Sequence, residues 1–132
     1  MKVRDAMRTS VLTIGPQATL RQASHAMADR NVGAVVVLDH DGSGFGILTE
    51  RDVMASVGAG QDPDRETVGE HLTRDLVFAD PSWSLADAAL AMTRGGFRHL
   101  AVLEDSEVVG IVSVRDVVRY WAEQEMLARL AG

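Results

Sequence analysis

Residues 46–52 read Gly-Ile-Leu-Thr-Glu-Arg-Asp, and residues 110–116 read Gly-Ile-Val-Ser-Val-Arg-Asp. Both stretches place a glycine, two apolar residues, a hydroxyl residue and an aspartate at the same positions. They lie 64 residues apart in a chain of 132 residues. A heptapeptide that recurs after about half of a chain indicates an internal repeat, and a repeat limits which folds are possible.

The repeat extends from this heptapeptide back to the start of the chain. With a spacing of 65 residues, six positions of the first copy recur in kind in the second. The pairs are Val3 and Val68, Met7 and Leu72, Pro16 and Pro81, Leu20 and Leu85, Ala23 and Ala88, and Met27 and Met92. The spacing falls to 64 between Asp39 and Gly46, in a stretch rich in Gly, Ser and Asp that is typical of a hairpin turn.

Each copy predicts the same order of elements, which is strand, helix, strand, strand, helix. In the first copy, residues 11–14 are a short strand candidate. A capping box of Thr19 and Gln22 then opens a helix with an apolar stripe. The apolar run at residues 32–38 predicts a strand that is covered on both faces, and residues 45–48 predict its hairpin partner.

The second copy predicts the same elements, with Ser84 and Asp87 at the places of the capping box. Between the copies lies a polar segment that contains glycine and proline and is typical of a linker. We therefore expect residues 1–57 to form the first repeat, 58–67 a linker, 68–120 the second repeat and 121–132 a helical extension.

Composition excludes several classes of protein. The chain has no cysteine, which rules out a disulfide scaffold, a thiolate zinc site and cysteine nucleophile chemistry. Its formal net charge of -6 argues against a nucleic-acid surface. No apolar run reaches the roughly 18 residues of a membrane span. Charges at Lys2, Arg4 and Asp5, where a signal peptide is apolar, predict a cytoplasmic protein.

Each copy resembles a cystathionine-beta-synthase (CBS) domain, and the chain resembles a tandem CBS pair, often called a Bateman module. The two heptapeptides match the family pattern of glycine, an apolar residue, any residue, Thr or Ser, any two residues and Asp. Residues 5–7 and residues 97–102 are supporting matches. The resemblance covers nearly the whole chain and implies an α+β fold of two β-α-β-β-α repeats that are packed with pseudo-two-fold symmetry.

The resemblance also implies clefts between the two copies, in which many relatives bind adenosine nucleotides or related ligands. Carried over residue by residue, the candidate ligand contacts are Thr49 and Asp52 in one copy and Ser113 and Asp116 in the other. A carboxylate can accept two hydrogen bonds from a ribose diol, and a hydroxyl beside helix N-terminal amides suits a phosphate. The same spacing is that of a helix capping box, which needs no ligand, and both roles can coexist.

Two basic residues distinguish the second copy. Arg98 and His99 occupy the places of Gly33 and Ala34 in the first copy. In some relatives basic residues at this place touch ligand phosphates, so the resemblance implies the same role here. The alternative is that Arg98 pairs with a nearby carboxylate and that His99 is a half-buried, satisfied side chain.

Other candidates are weaker. The glycine-rich residues 42–46 precede a strand, whereas a dinucleotide-binding loop follows a strand and opens a helix. Trp83 lies beside a helix start and either stacks on a base or simply packs. The four histidines show no metal-ligand spacing, so we predict no metal site. They are His25, His40, His71 and His99.

No nucleophile and base pair, paired acids or cofactor motif indicates catalysis, so we predict that the chain is not an enzyme and needs no catalytic cofactor. The last helix carries Val117, Val118 and Trp121 on one stripe, followed by further apolar residues to Leu130. This surface predicts a homodimer, and the resemblance points the same way. The alternative is that the helix folds back over its own module.

The sequence thus predicts a regulatory sensor that binds an adenosine-type ligand, such as AMP, ADP, ATP or a related adenosyl compound. With no effector domain in the chain, its signal would pass in trans to an effector protein. The alternative is a structural dimerisation module with degenerate clefts and no nucleotide ligand.

Overall fold

The chain forms two compact units in a computed structural model, which describes residues 1–39 and 44–132. The first unit is Val11–Leu76, and the second unit combines Met1–Ser10 with Val77–Gly132. Both contain helices and a sheet, which confirms the α+β class. Residues 40–43, which include most of the predicted hairpin turn and the first two of the glycine-rich residues 42–46, lie outside the described residues.

The helices and strands follow the predicted order in both copies, and each copy adds one short helix before its first strand. In chain order the elements are α1 (Val3–Ala6), β1 (Thr13–Ile14), α2 (Leu20–Arg30), β2 (Ala34–Leu38), β3 (Phe45–Thr49), α3 (Glu50–Gly58), α4 (Val68–His71), β4 (Phe78–Ala79), α5 (Leu85–Gly95), β5 (His99–Glu104), β6 (Glu107–Ser113) and α6 (Val114–Ala131).

Each unit contains one three-stranded sheet with mixed strand directions. In the first unit β1 runs parallel to β2, and β2 runs antiparallel to β3. The second unit repeats this pattern with β4, β5 and β6. The middle strand β2 is buried over four of its five residues, as its continuous apolar sequence predicts, and β5 is buried at Leu100, Ala101 and Val102.

The helix after the first strand packs its apolar stripe into the core of its unit. In α2 the predicted capping box forms, since the Gln22 amide donates to Thr19 Oγ1 over 3.1 Å and the Thr19 amide donates to Gln22 Oε1 over 2.9 Å. In α5 the Ser84 hydroxyl accepts from the Asp87 amide over 3.0 Å. The predicted stripes are buried in both helices: Leu20, Ala23, Met27, Leu85, Ala88 and Met92.

The strand β2 begins two residues later than the sequence predicts. Asn31 ends α2 in the left-handed conformation, with φ of 52°. The Val32 amide then donates to the Met27 carbonyl over 3.0 Å, as is common where a helix ends in this conformation. Val32 therefore belongs to the end of the helix, although its β-branched side chain favours a strand.

The short helix of each copy packs in the unit that contains the sheet of the other copy. Val3 of α1 is fully buried among residues of the second unit, and Val68 of α4 is fully buried in the first. The Val3 amide donates to the Trp83 carbonyl, and the Val68 amide donates to the Ala18 carbonyl, both over 2.8 Å. A compact unit is therefore not the same stretch of chain as a sequence repeat.

Residues just after each short helix pair with the third strand of the sheet. Arg8 forms two backbone hydrogen bonds with Ile111 of β6, and Thr73 forms two with Ile47 of β3. These contacts extend each sheet by one isolated bridge. They hold the leading segment of each copy, residues 1–10 and residues 68–76, against the sheet, although only Val3, Ala6 and Val68 of these segments are buried.

The segment predicted as a linker is held against the start of α2. The amides of Leu20 and Arg21 donate to the carbonyls of Glu66 and Pro63. The Arg21 guanidinium also forms two hydrogen bonds with the exposed Asp64 carboxylate. These bonds hold the pKa of the Asp64 carboxyl below its ordinary value, because they stabilise its ionised form.

The glycine that opens each heptapeptide allows the leading segment to approach the sheet. A Cβ atom at Gly110 would lie 2.8 Å from Met7 Sδ and 2.9 Å from the Arg8 carbonyl oxygen. A Cβ atom at Gly46 would lie 2.7 Å from the Thr73 carbonyl oxygen. Both distances to oxygen involve backbone, which cannot move away as a flexible side chain can.

We expect Gly46→Ala and Gly110→Ala each to lower the free energy of unfolding by about 1–3 kcal/mol, because the added methyl group overpacks a strand against a backbone carbonyl. Urea unfolding followed by circular dichroism measures the change. The matched control is Gly58→Ala at the end of α3, where a Cβ atom meets nothing within 4 Å. Equal urea midpoints for all three variants would show that the leading segments move away from the added methyl group without loss of stability.

Candidate functional site

The third strand of each unit runs directly into a helix, and the hydroxyl residue of the heptapeptide lies at the junction. Thr49 is both the last residue of β3 and the N-cap of α3. The Asp52 amide donates to Thr49 Oγ1 over 3.3 Å, and the Thr49 amide donates to Asp52 Oδ2 over 2.8 Å. The Thr49 hydroxyl donates to the same carboxylate oxygen over 3.1 Å.

The second unit has the same junction between β6 and α6. The Asp116 amide donates to Ser113 Oγ over 3.1 Å, and the Ser113 amide donates to Asp116 Oδ2 over 2.9 Å. Both heptapeptides therefore form reciprocal capping boxes, which confirms the structural interpretation of this spacing. Their role as ligand contacts stays a prediction.

The Asp116 carboxylate is buried and carries further partners. Only 1% of the residue is exposed. Its Oδ1 atom accepts from Arg8 Nε over 3.2 Å and lies 3.0 Å from a terminal nitrogen of Arg119. Both guanidinium side chains are 42% exposed, so the cluster consists of one buried carboxylate and two arginines that reach solvent.

Sequence reasoning missed Arg8 and Arg119. Arg8 is separated from Asp116 by 108 residues, so no local pattern relates the two. A signal does exist in the repeat, because the corresponding residues of the first copy are Thr73 and Ala55. Comparison of equivalent positions in the two copies, which distinguishes Arg98 and His99, also distinguishes Arg8 and Arg119.

The structure brings Arg98 and His99 to the start of α6. The Arg98 carbonyl accepts from the Val114 amide over 3.0 Å, and His99 is the register partner of Ser113. The Arg98 side chain is exposed, and the described part of the chain shows no ion pair for it. His99 is partly buried. Contact with a phosphate stays a prediction for both residues.

Two weaker candidates have structural roles. Trp83 is partly buried and packs against the core of the second unit, which confirms the packing interpretation. His71 Nε2 lies 2.8 Å from Glu66 Oε1.

Among the described residues, no group of three or more His, Asp or Glu side chains could hold a metal ion. No described helix is long and apolar enough to cross a membrane.

Helix α6 exposes large apolar side chains along its whole length. Val117 packs against the core of the second unit, whereas its neighbour Val118 is 56% exposed. Every residue from position 121 onward is exposed. We call the exposed large apolar side chains of this helix the α6 apolar surface. With 3.6 residues per turn, three of them lie on one side of the helix and three on the other: Val114, Val118 and Trp121, and Met126, Leu127 and Leu130.

Comparison with known proteins gives the family. The CBS domain model matches residues 3–59 and again residues 68–123. The chain therefore belongs to the CBS-domain family and carries two copies of the domain, as the resemblance implied.

Two curated relatives have similar sequences. The CBS domain-containing protein YhcV of Bacillus subtilis is 34% identical over 115 residues, which are 87% of this chain and 81% of YhcV. The uncharacterized protein MJ1225 of Methanocaldococcus jannaschii is 30% identical over 128 residues. The match covers 94% of this chain but only 45% of that protein.

Two solved structures share the fold. The hexameric CBS-CP12 protein from bloom-forming cyanobacteria has a TM-score of 0.82 at 27% identity, and the match covers 89% of this chain and 69% of that chain. The CBS domain pair of protein MJ0100, in complex with 5′-methylthioadenosine and S-adenosyl-L-methionine, has a TM-score of 0.83 at 22% identity. That match covers 94% of this chain and 98% of the other.

We expect Asp116→Asn to lower the free energy of unfolding by about 1.5–3 kcal/mol, because it removes a buried charge that accepts a hydrogen bond from Arg8 and forms an ion pair with Arg119. Asp52→Asn is the matched variant, and it should cost about 1 kcal/mol or less, the usual worth of a helix cap. Urea unfolding of the two variants beside the parent protein gives the difference. Equal losses would contradict the structural importance of the arginine pairs.

Proposed function

We propose that this protein is a non-catalytic regulatory module that binds an adenosine-containing ligand and signals to an effector protein. The observation that carries the proposal is the hydroxyl and carboxylate pair at the strand-to-helix junction of both units. A carboxylate suits the two hydroxyls of a ribose, and a hydroxyl beside helix amides suits an anionic group. The candidate contacts are Thr49, Asp52, Ser113 and Asp116, with Arg98 and His99 as additional groups for a phosphate.

Membership of the CBS-domain family supports the proposal. The MJ0100 pair has the same fold, and its structure contains two adenosyl compounds. The fold therefore accommodates ligands of this class. In this chain, a bound ligand would act as a signal only if it favours one conformation of the module over another, since equal affinity for both shifts no equilibrium.

We expect at least one of AMP, ATP, 5′-methylthioadenosine and S-adenosylmethionine to bind with a dissociation constant tighter than about 1 mM, roughly -4 kcal/mol. Isothermal titration calorimetry of nucleotide-stripped protein measures this affinity. Guanosine monophosphate is the control for adenine recognition. No measurable binding of any of the four compounds would contradict the proposal and favour the structural module without a nucleotide ligand.

We further propose that a second copy of this chain covers the α6 apolar surface. Its six side chains are between 41% and 78% exposed on two sides of one helix, and exposed apolar side chains in such number favour a protein partner. Most soluble oligomers are symmetric assemblies of one chain. The structurally similar CBS-CP12 protein also assembles with itself, since it is hexameric.

We expect the parent protein to sediment as a dimer across the micromolar range, and Leu130→Glu to shift it towards the monomer, because a charge would be buried in the interface. Leu130 is 78% exposed, so this substitution leaves the core intact. Gln124→Ala, an exposed position on the same helix, is the control. A monomeric parent protein in analytical ultracentrifugation would remove this proposal.

A further inference from the structure

Helix α6 continues past the end of the domain that the family defines. The second match to the CBS domain model ends at residue 123, whereas α6 runs to Ala131. The corresponding helix α3 ends at Gly58 after 9 residues, against 18 residues in α6. We call residues 122–131 the α6 tail. Every residue of the tail is exposed, so none of them is part of the core of its unit.

The tail lacks the packing that stabilises most helices in proteins. Short helices are marginal in water, and in proteins they gain most of their stability from the burial of an apolar side. The tail has such a side, because Met126, Leu127 and Leu130 lie within about 100° of one another around the helix axis. These side chains are 57%, 57% and 78% exposed. We therefore expect a partner to cover this side of the tail.

The charges beside the apolar side of the tail favour a second copy of the chain as that partner. Glu125 and Arg129 lie about one turn apart, on the flank next to Met126. Two identical helices that pack antiparallel bring the same flank of each copy together. With Leu127 at the two-fold axis, Glu125 of each copy lies level with Arg129 of the other, which gives two attractive contacts. In a parallel pair these flanks lie on opposite sides, so the two charges do not meet.

The same charges make a lipid surface a poor occupant. Amphipathic helices that lie on anionic membranes are rich in lysine and arginine on their polar side. The tail carries Glu123 and Glu125 but only one basic residue, Arg129, and the whole chain has a net charge of -6. An anionic membrane would therefore repel the tail, whereas a second copy offers a matching basic residue.

We propose that the α6 tail packs antiparallel against the tail of a second copy, with Leu127 near the two-fold axis and Glu125 paired with Arg129 of the other copy. This inference rests on the proposed self-association and deepens it, because it assigns one side of the α6 apolar surface to a defined contact. Val118 and Trp121, on the other side of the helix, are not part of this contact.

Charge reversal tests the pairing between copies. Glu125→Arg and Arg129→Glu should each weaken dimerisation by about threefold to tenfold, because each change turns two attractive contacts into two repulsive ones. An equimolar mixture of the two variants should recover the dimer, since the two chains then carry opposite charges on the flank that they share. Sedimentation equilibrium measures all three affinities. A mixture that is no more dimeric than its components would overturn the antiparallel arrangement.

Disulfide formation tests the position of the axis, and the parent protein suits this test because it has no cysteine. Leu127→Cys should give a disulfide-linked dimer under mild oxidation, since residues at the axis are adjacent. Leu130→Cys is the matched control. Its two copies would be separated by about 9 Å along the helices, at 1.5 Å per residue, which is too far for a disulfide. Linkage at Leu130 but not at Leu127 would indicate a parallel pair and would overturn the inference.

Leu127→Glu and Val118→Glu separate this inference from the proposed self-association. Both positions are more than half exposed, so neither change disturbs the core. Analytical ultracentrifugation should show loss of the dimer in Leu127→Glu. A dimer that Leu127→Glu leaves intact and Val118→Glu dissociates would overturn the tail pairing, while self-association stands. A parent protein that is monomeric at every concentration would overturn both.

Discussion

The junction between the third strand and the helix that follows it is the constraint on which each unit depends. Thr49 ends β3 and caps α3 with no intervening turn, and Ser113 does the same between β6 and α6. Three residues upstream, the glycine of the same heptapeptide admits the leading segment to the strand. One short stretch of sequence thus fixes a strand end, a helix start and the place where the leading segment docks.

Because the heptapeptide has these structural roles, its presence alone does not identify a ligand site. The glycine, the hydroxyl and the aspartate each have a structural role in both units. The chemical difference lies outside the motif, in Arg8 and Arg119, which compensate the charge of Asp116 and leave Asp52 without such partners among the described residues. Two copies can therefore keep the same cap while their carboxylates differ in burial and in ionic partners.

Sequence reasoning predicted the features that depend on local periodicity. The stripe of Leu20, Ala23 and Met27 and the apolar run that becomes β2 are determined by neighbours along the chain, so their spacing was sufficient. The helices α1 and α4 have only four residues each, which is too short for a helical period to show. The sequence identified the hydroxyl and aspartate pairs but not the burial of Asp116, because its partner Arg8 lies 108 residues away in the chain.

The outward faces of the two capped helices show a further regularity. Met54 and Val57 of α3 occupy the places of Val118 and Trp121 of α6, and all four side chains are more than half exposed. An exposed apolar face on this helix is therefore a feature of both copies, whereas the arginine partners of the capping carboxylate are a feature of one. Because α6 continues for 11 residues beyond Tyr120 with every one of them exposed, and Met126, Leu127 and Leu130 are among them, the second copy exposes more apolar side chains than the first and is the stronger candidate for self-association. The copy whose carboxylate pairs with two arginines thus also exposes the larger number of apolar side chains.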